Sequence, residues 1–113
     1  MRNMAFTITT QQMYSGTKTV TRRLGWWLLK PGDIVMAVEK GMGLKKGEHV
    51  KKIYPIEIVK TSGEPLSVIS QREVILEGFP EMTPKQFVDM FCLANDCRPY
   101  FTVNRIEFRK ATL

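Results

Sequence analysis

Histidine and cysteine are scarce: the 113 residues include one His, His49, and two Cys, Cys92 and Cys97. A structural zinc takes about four N or S ligands, and the two cysteines form no Cys-x-x-Cys pair. The sequence therefore argues against a metal, and it implies no other cofactor. A Ser-His-Asp or Cys-His centre would have to use His49, which stands in a charged, Gly-flanked stretch that reads as exposed loop. Both cysteines are expected to be reduced and partly buried. Long apolar runs are missing as well. Trp26-Trp27-Leu28-Leu29 reaches about a fifth of a bilayer span. No charged leader precedes a long apolar segment and a small-residue cleavage site. The expectation is a cytoplasmic protein without a membrane partner. Repeats and low-complexity tracts are also absent.

The length, 113 residues, fits one domain, residues 1–113 with a core at about 5–110, and leaves no room for two ordinary ones. With 43% hydrophobic and 25% charged residues the chain has the composition of a folded protein rather than a disordered tail. Its formal charge of +6 is unevenly placed. Residues 1–52 hold ten Lys and Arg against three Asp and Glu, whereas residues 53–113 hold seven against eight. A basic half beside a near-neutral one is the footprint of a face for nucleic acid or another polyanion; it is equally what a solvated, Lys-rich surface gives.

The pattern along the chain predicts β-α-β-β-β-α-α-β, a small α+β domain around a curled sheet. Residues 5–9 alternate and predict a first strand. Thr9-x-x-Gln12 can form a capping box for a short helix that Gly16 ends. Residues 18–23 are rich in β-branched side chains and read as extended. Residues 26–29 form an apolar knot, and Pro31-Gly32-Asp33 a turn. Strands are predicted at 34–39 and 53–60, with Pro55 suggesting an edge or a bulge. Ser70-x-x-Glu73 predicts a capped helix that stops at Gly78. Thr83-Pro84-Lys85-Gln86 opens another, with Phe87, Val88 and Phe91 on one apolar face. Residues 100–109 alternate as a closing strand with a slip, and so a bulge, at Asn104-Arg105.

The run Gly16-Thr17-Lys18-Thr19-Val20-Thr21-Arg22-Arg23 resembles the ASCH domain family, whose β-barrel is PUA-like. The later matches are Pro31-Gly32-Asp33, Glu77-Gly78-Phe79, the aromatic helix face from Phe87 to Phe91, and Arg105-Ile106-Glu107-Phe108. They span about residues 5–110. The resemblance implies a small PUA-like barrel with two to three short helices. It is strongest to a branch of small bacterial amidohydrolases that remove acetyl from acetylated cytidine. That branch implies a catalytic set of Lys18, Thr21 and Glu77. Arg23 matches its pattern, whereas Arg22 stands where an apolar residue is expected, and the loop 41–52 is longer and more basic. The wider family also includes nucleic-acid binders and a ribonuclease activity, and chains of this kind are common among phage and prophage proteins.

Removing an acyl group from an exocyclic amine needs a nucleophile, a proton carrier and a stabiliser of the tetrahedral oxyanion. Thr21 supplies the hydroxyl. Lys18 can be its base if burial and the neighbouring Arg22 and Arg23 disfavour the ammonium. Positions 18 and 21 have opposite parity in a strand, so they share a face only where the chain bends. Glu77 stands in the last turn of its helix, where the dipole disfavours a carboxylate, which suits a general acid; Glu73 is expected to serve the cap of Ser70. Arg23 and Arg22 are candidate substrate ligands, because a guanidinium can pair with a base edge or a phosphate. Trp26 and Tyr14 are candidates to stack on a base. Lys45, Lys46, Lys51 and Lys52 would contact a nucleic-acid backbone. Three functions remain: an amidohydrolase acting on an acylated nucleoside or base, a non-catalytic module that binds RNA or single-stranded nucleic acid, and a ribonuclease.

Overall fold

The computed structural model describes residues 1–41 and 43–112. Its strands are β1 (Asn3–Ala5), β2 (Val20–Arg23), β3 (Ile34–Val38), β4 (Lys52–Pro65) and β5 (Thr102–Lys110). Its helices are α1 (Thr10–Ser15), α2 (Gln71–Leu76) and α3 (Pro84–Asn95), with a 3-10 turn at Leu66–Val68. The strands form one mixed sheet in the order β1-β3-β4-β5-β2. Only β1 and β3 run parallel. The fold is α+β, and the elements follow the expected order.

The sheet curls but does not close into a barrel: β1 and β2 remain as its two edges. Curvature comes from β4. Its 14 residues would span roughly 46 Å if straight, more than the 37 Å longest dimension of the molecule. The register slips between Ile58 and Lys60 against β5, leaving Val59 as an extra residue, and again opposite Ala37 and Val38 in β3. Such bulges bend a strand. The slip expected at Asn104-Arg105 is not on β5, which is unbroken. There the burial changes face: Val103 packs against the helices, whereas Ile106 and Phe108 pack inside the curl. Pro55 lies on a central strand, not an edge. Its missing N–H falls beyond Lys110, where β5 ends, and its carbonyl accepts from Ala111 N at 2.9 Å.

Two cores result. One, inside the curl, contains Met4, Phe6, Met13, Val35, Ile56, Ile106 and Phe108. The other joins the sheet to α2 and α3 through Leu66, Val74, Phe79, Phe87, Phe91 and Val103. Each large side chain so buried contributes roughly 1.5–3 kcal/mol relative to exposure. Truncating Phe87 to Ala would cost about 3–5 kcal/mol. α3 forms as its sequence predicts. Thr83 and Gln86 complete a capping box, Pro84 opens the helix, and Phe87, Val88 and Phe91 are all buried.

The other two caps differ. Thr9 makes no side-chain cap bond; the Gln12 amide donates across to Gly78 O at 3.2 Å instead. Ser70 accepts from Glu73 N, but the Glu73 carboxylate turns to Arg22 and Arg105. β1 overlaps the strand expected at 5–9 only at Ala5: it pairs through Asn3, Met4 and Ala5 with Met36, Ala37 and Val38 of β3, and residues 6–9 lie outside any strand. Both cysteines are free thiols, Cys97 buried and Cys92 partly so, with their sulfurs 3.7 Å apart. No helix among the described residues is long and apolar enough to cross a membrane.

Candidate active site

The gap between β1 and β2 is where the chemistry gathers. The Arg23 guanidinium spans it, donating from Nη2 to Ala5 O at 2.8 Å and lying 4.7 Å above the Phe6 ring. Beside this bridge is a cavity of about 270 Å³. Lys18, Thr21, Arg22, Arg23 and Glu77 make its polar side. Residues 5–9 and the apolar side chains Phe79, Phe87, Met90 and Phe91 make its walls.

The parity conflict between positions 18 and 21 is resolved by a bend. Gly16 takes a left-handed conformation (φ +77°) and ends α1. The next two amides, of Thr17 and Lys18, both donate to Gln12 O, at 3.1 and 3.3 Å, and Thr19 N donates to Leu76 O at 3.0 Å. Lys18 is thus pinned between α1 and α2 before β2 begins at Val20, and strand alternation does not apply to it. Glu77 caps the C-terminus of α2, followed by Gly78 at φ +102°. A side chain at Gly78 would place its Cβ 2.9 Å from Gln12 Cγ. Only glycine allows this close approach, and that approach presents Glu77 to Lys18.

Lys18 and Glu77 are 4% and 3% exposed, and Thr21 is 3% exposed. The Lys18 amine donates to Glu77 O at 2.9 Å and to Glu77 Oε1 at 2.8 Å. Arg22 Nη1 donates to Glu77 Oε2 at 3.0 Å. Both carboxylate oxygens therefore accept hydrogen bonds, Oε1 from Lys18 and Oε2 from Arg22. Burial pushes the Lys18 amine below its ordinary value; Glu77 opposes this, and the Arg23 and Arg22 charges assist it. Thr21 Oγ1 accepts from Arg23 Nε at 3.1 Å. Burial lowers Arg23 to about 10, against the pull of Glu77. Arg22 is enclosed by carboxylates. Besides Glu77 it donates to Glu73 at 2.7 Å and lies 3.5 Å from Glu64, with its buried Nε unpartnered among the described residues.

The other expected ligands lie elsewhere. Tyr14 is exposed, and its hydroxyl donates to Glu39 at 2.6 Å, which raises its pKa. Trp26 packs on the inner core beneath the Arg2 guanidinium, 4.2 Å away. Neither lines the cavity. Lys45, Lys46, Lys51 and Lys52 are exposed on and after the loop between β3 and β4. Its start, Gly41, lies against Ala5 at the cavity wall. Among the described residues no three His, Cys, Asp or Glu side chains gather as a metal would require. Sequence reasoning missed Glu73 and Arg105 as supports of the site. It had a signal for Arg105 only in hindsight of register, since Arg105 is the cross-strand partner of Arg22.

No family model matches the sequence, and no curated protein matches it. Solved structures do match. A protein of Enterococcus faecalis described by the family model DUF984 superposes with a TM-score of 0.62 at 17% identity, over 89% of this chain and 68% of that one. An ASCH domain from Lactobacillus crispatus superposes with a TM-score of 0.59 at 16% identity, over 96% of this chain and 79% of that one.

Proposed function

We propose that this chain, whose α+β fold is ASCH-like, is an amidohydrolase that removes an acyl group from the exocyclic amine of a modified nucleoside or base such as acetylcytidine. The observation that carries this reading is the convergence of Lys18, Thr21 and Glu77 on one cavity with apolar walls. The apolar side chains that line the cavity, Phe79, Phe87, Met90 and Phe91, offer one wall to the face of a flat base, with its acylated amine toward the polar side.

In the reaction, the neutral Lys18 amine accepts the Thr21 hydroxyl proton. The Arg23 Nε–H, already on Thr21 Oγ1, stabilises the alkoxide as it forms. Thr21 Oγ bonds to the acyl carbon, and the carbonyl becomes an oxyanion in a site rich in guanidinium and ammonium groups. As the C–N bond breaks, the Lys18 ammonium returns the proton to the leaving amine. Water, deprotonated by the Lys18 amine, then adds to the acyl carbon of the Thr21 ester; the C–Oγ bond breaks, Lys18 returns the proton to Thr21 Oγ, and the carboxylic acid leaves. Glu77 keeps the amine aimed and neutralises it while it carries the proton.

Incubation with acetylcytidine, followed by absorbance, tests this. Release of cytidine by the wild type and its loss in Lys18→Ala support the enzyme. A second reading, a non-catalytic module for single-stranded nucleic acid, is favoured by one observation, the exposed Lys45, Lys46, Lys51 and Lys52 on and after the loop that starts at Gly41. Absence of turnover together with salt-sensitive RNA binding would favour it.

A further inference from the structure

Five charged side chains of alternating sign run from β5 to the cavity: Arg105, Glu73, Arg22, Glu77 and Lys18. Arg105 is held by Glu73, with Nη2 at 3.1 Å. Glu73 Oε1 accepts from Arg22 Nη2 at 2.7 Å, and Arg22 Nη1 reaches Glu77 Oε2 at 3.0 Å. Glu77 Oε1 then accepts from Lys18 at 2.8 Å. Arg22 is the middle member. Its side chain is 0% exposed, so its guanidinium is committed to these carboxylates rather than to a ligand from solution.

We propose that Arg22 is a positioning residue: its hold on Glu77 Oε2 fixes the carboxylate and, through it, the amine of Lys18. Two of the three hydrogen-bonding positions of that nitrogen go to Glu77, one to its backbone and one to its side chain. The third is left for the cavity. Without Arg22, the carboxylate is free to turn both oxygens to Lys18 and hold it as an ammonium. The Arg22 charge also directly disfavours that ammonium. The charged groups around Lys18 are Glu77 at the end of α2 and Arg22 and Arg23 on β2. Behind them lie Glu73 on α2, Glu64 on β4 and Arg105 on β5. The α3 side of the cavity offers Phe87, Met90, Phe91, Ala94 and Asn95, none of them titratable.

The catalytic consequence rests on the amidohydrolase reading, but the positioning itself can be read without substrate. Protein labelled with 13C at lysine Cε is titrated by NMR, with Lys18 assigned by its loss in Lys18→Arg. In Arg22→Met the Lys18 midpoint rises by about one pH unit, whereas in Arg22→Lys, which keeps the charge, it stays near the wild-type value. Where Arg22→Met fails to fold, Arg22→Gln takes its place with the same expected rise. An unchanged midpoint in a folded neutral variant overturns the proposal. On acetylcytidine, the limb of the pH–rate profile that reports Lys18 moves up with the midpoint. On that limb, at pH values below the midpoint, kcat then falls about tenfold with KM held, since there each unit of midpoint is a tenfold change in the neutral fraction. A fall in kcat with an unmoved limb would assign Arg22 a merely structural role. A wild type that releases no cytidine counts against the enzyme, and the titration still decides on Arg22.

Discussion

Lys18 is held twice by one residue, its amine donating to the backbone carbonyl of Glu77 and to its Oε1, at 2.9 and 2.8 Å. The backbone contact ties the lysine to the end of α2, and the side-chain contact ties it to Arg22. A single substitution at position 77 separates these two roles.

In Glu77→Gln the backbone acceptor stays and the charge goes. A buried cation loses its counter-ion, which costs about 3–5 kcal/mol when a buried pair is broken at one end; the Lys18 amine can relieve part of this by releasing its proton. The expected outcome is a folded protein with a lower melting midpoint and hydrolysis down at least a hundredfold. Wild-type turnover by this variant, measured beside its thermal melt, would remove Glu77 from the mechanism.

Thr21→Val keeps the β-branched shape that suits β2 and removes the hydroxyl. It leaves Arg23 Nε without its 3.1 Å partner, at a cost of roughly 1–3 kcal/mol. Hydrolysis is expected to vanish while acetylcytidine still binds, as read by calorimetry. Thr21→Ser should retain part of the rate, because the nucleophilic oxygen returns.

Stability below neutral pH reports on Glu73. Hydrogen bonds from Arg105, and then from Arg22, hold its carboxyl at about 2, below the ordinary 4.5. The folded state thus favours the ionised form. Its contribution is complete above pH 4.5 and is lost as pH falls toward 2. Urea midpoints at pH 6 and pH 3 should therefore differ more for the wild type than for Glu73→Gln, which starts lower at pH 6. Parallel losses in the two proteins would show that Glu73 does not carry this dependence.

Gly78→Ala combines an unfavourable left-handed φ of +102° with a Cβ 2.9 Å from Gln12 Cγ. A destabilisation of about 1–3 kcal/mol is expected, seen as a fall of roughly 5 °C or more in the melting midpoint. The same displacement moves Glu77, so turnover should fall further than stability explains.

Features written in neighbouring residues were legible beforehand. The Thr83–Gln86 box, Pro84 and the Phe87, Val88, Phe91 face of α3 depend on spacings of a turn or two, and they stand as read. Gly16 closes α1 for the same reason. Features decided at a distance were not legible. β1 takes its register from β3, more than thirty residues later, and the bulge at Val59 answers the curvature of the whole sheet. Glu73 was open to a local role, the cap of Ser70, and lost it to Arg105, a partner 32 residues away. The positions Lys18, Thr21 and Glu77 came from a resemblance; what brings Lys18 and Thr21 to one cavity is the bend held by Gln12 and Leu76, which no strand pattern contains.

The most direct measurement of the account is acetylcytidine turnover, with cytidine and acetate both quantified, by the wild type, Lys18→Ala, Thr21→Val and the double variant. Residues that act as one unit give non-additive losses. The account predicts stoichiometric release by the wild type, with each single variant falling to a common floor that the double variant shares. No release by the wild type, or losses that multiply independently in the double variant, would contradict it.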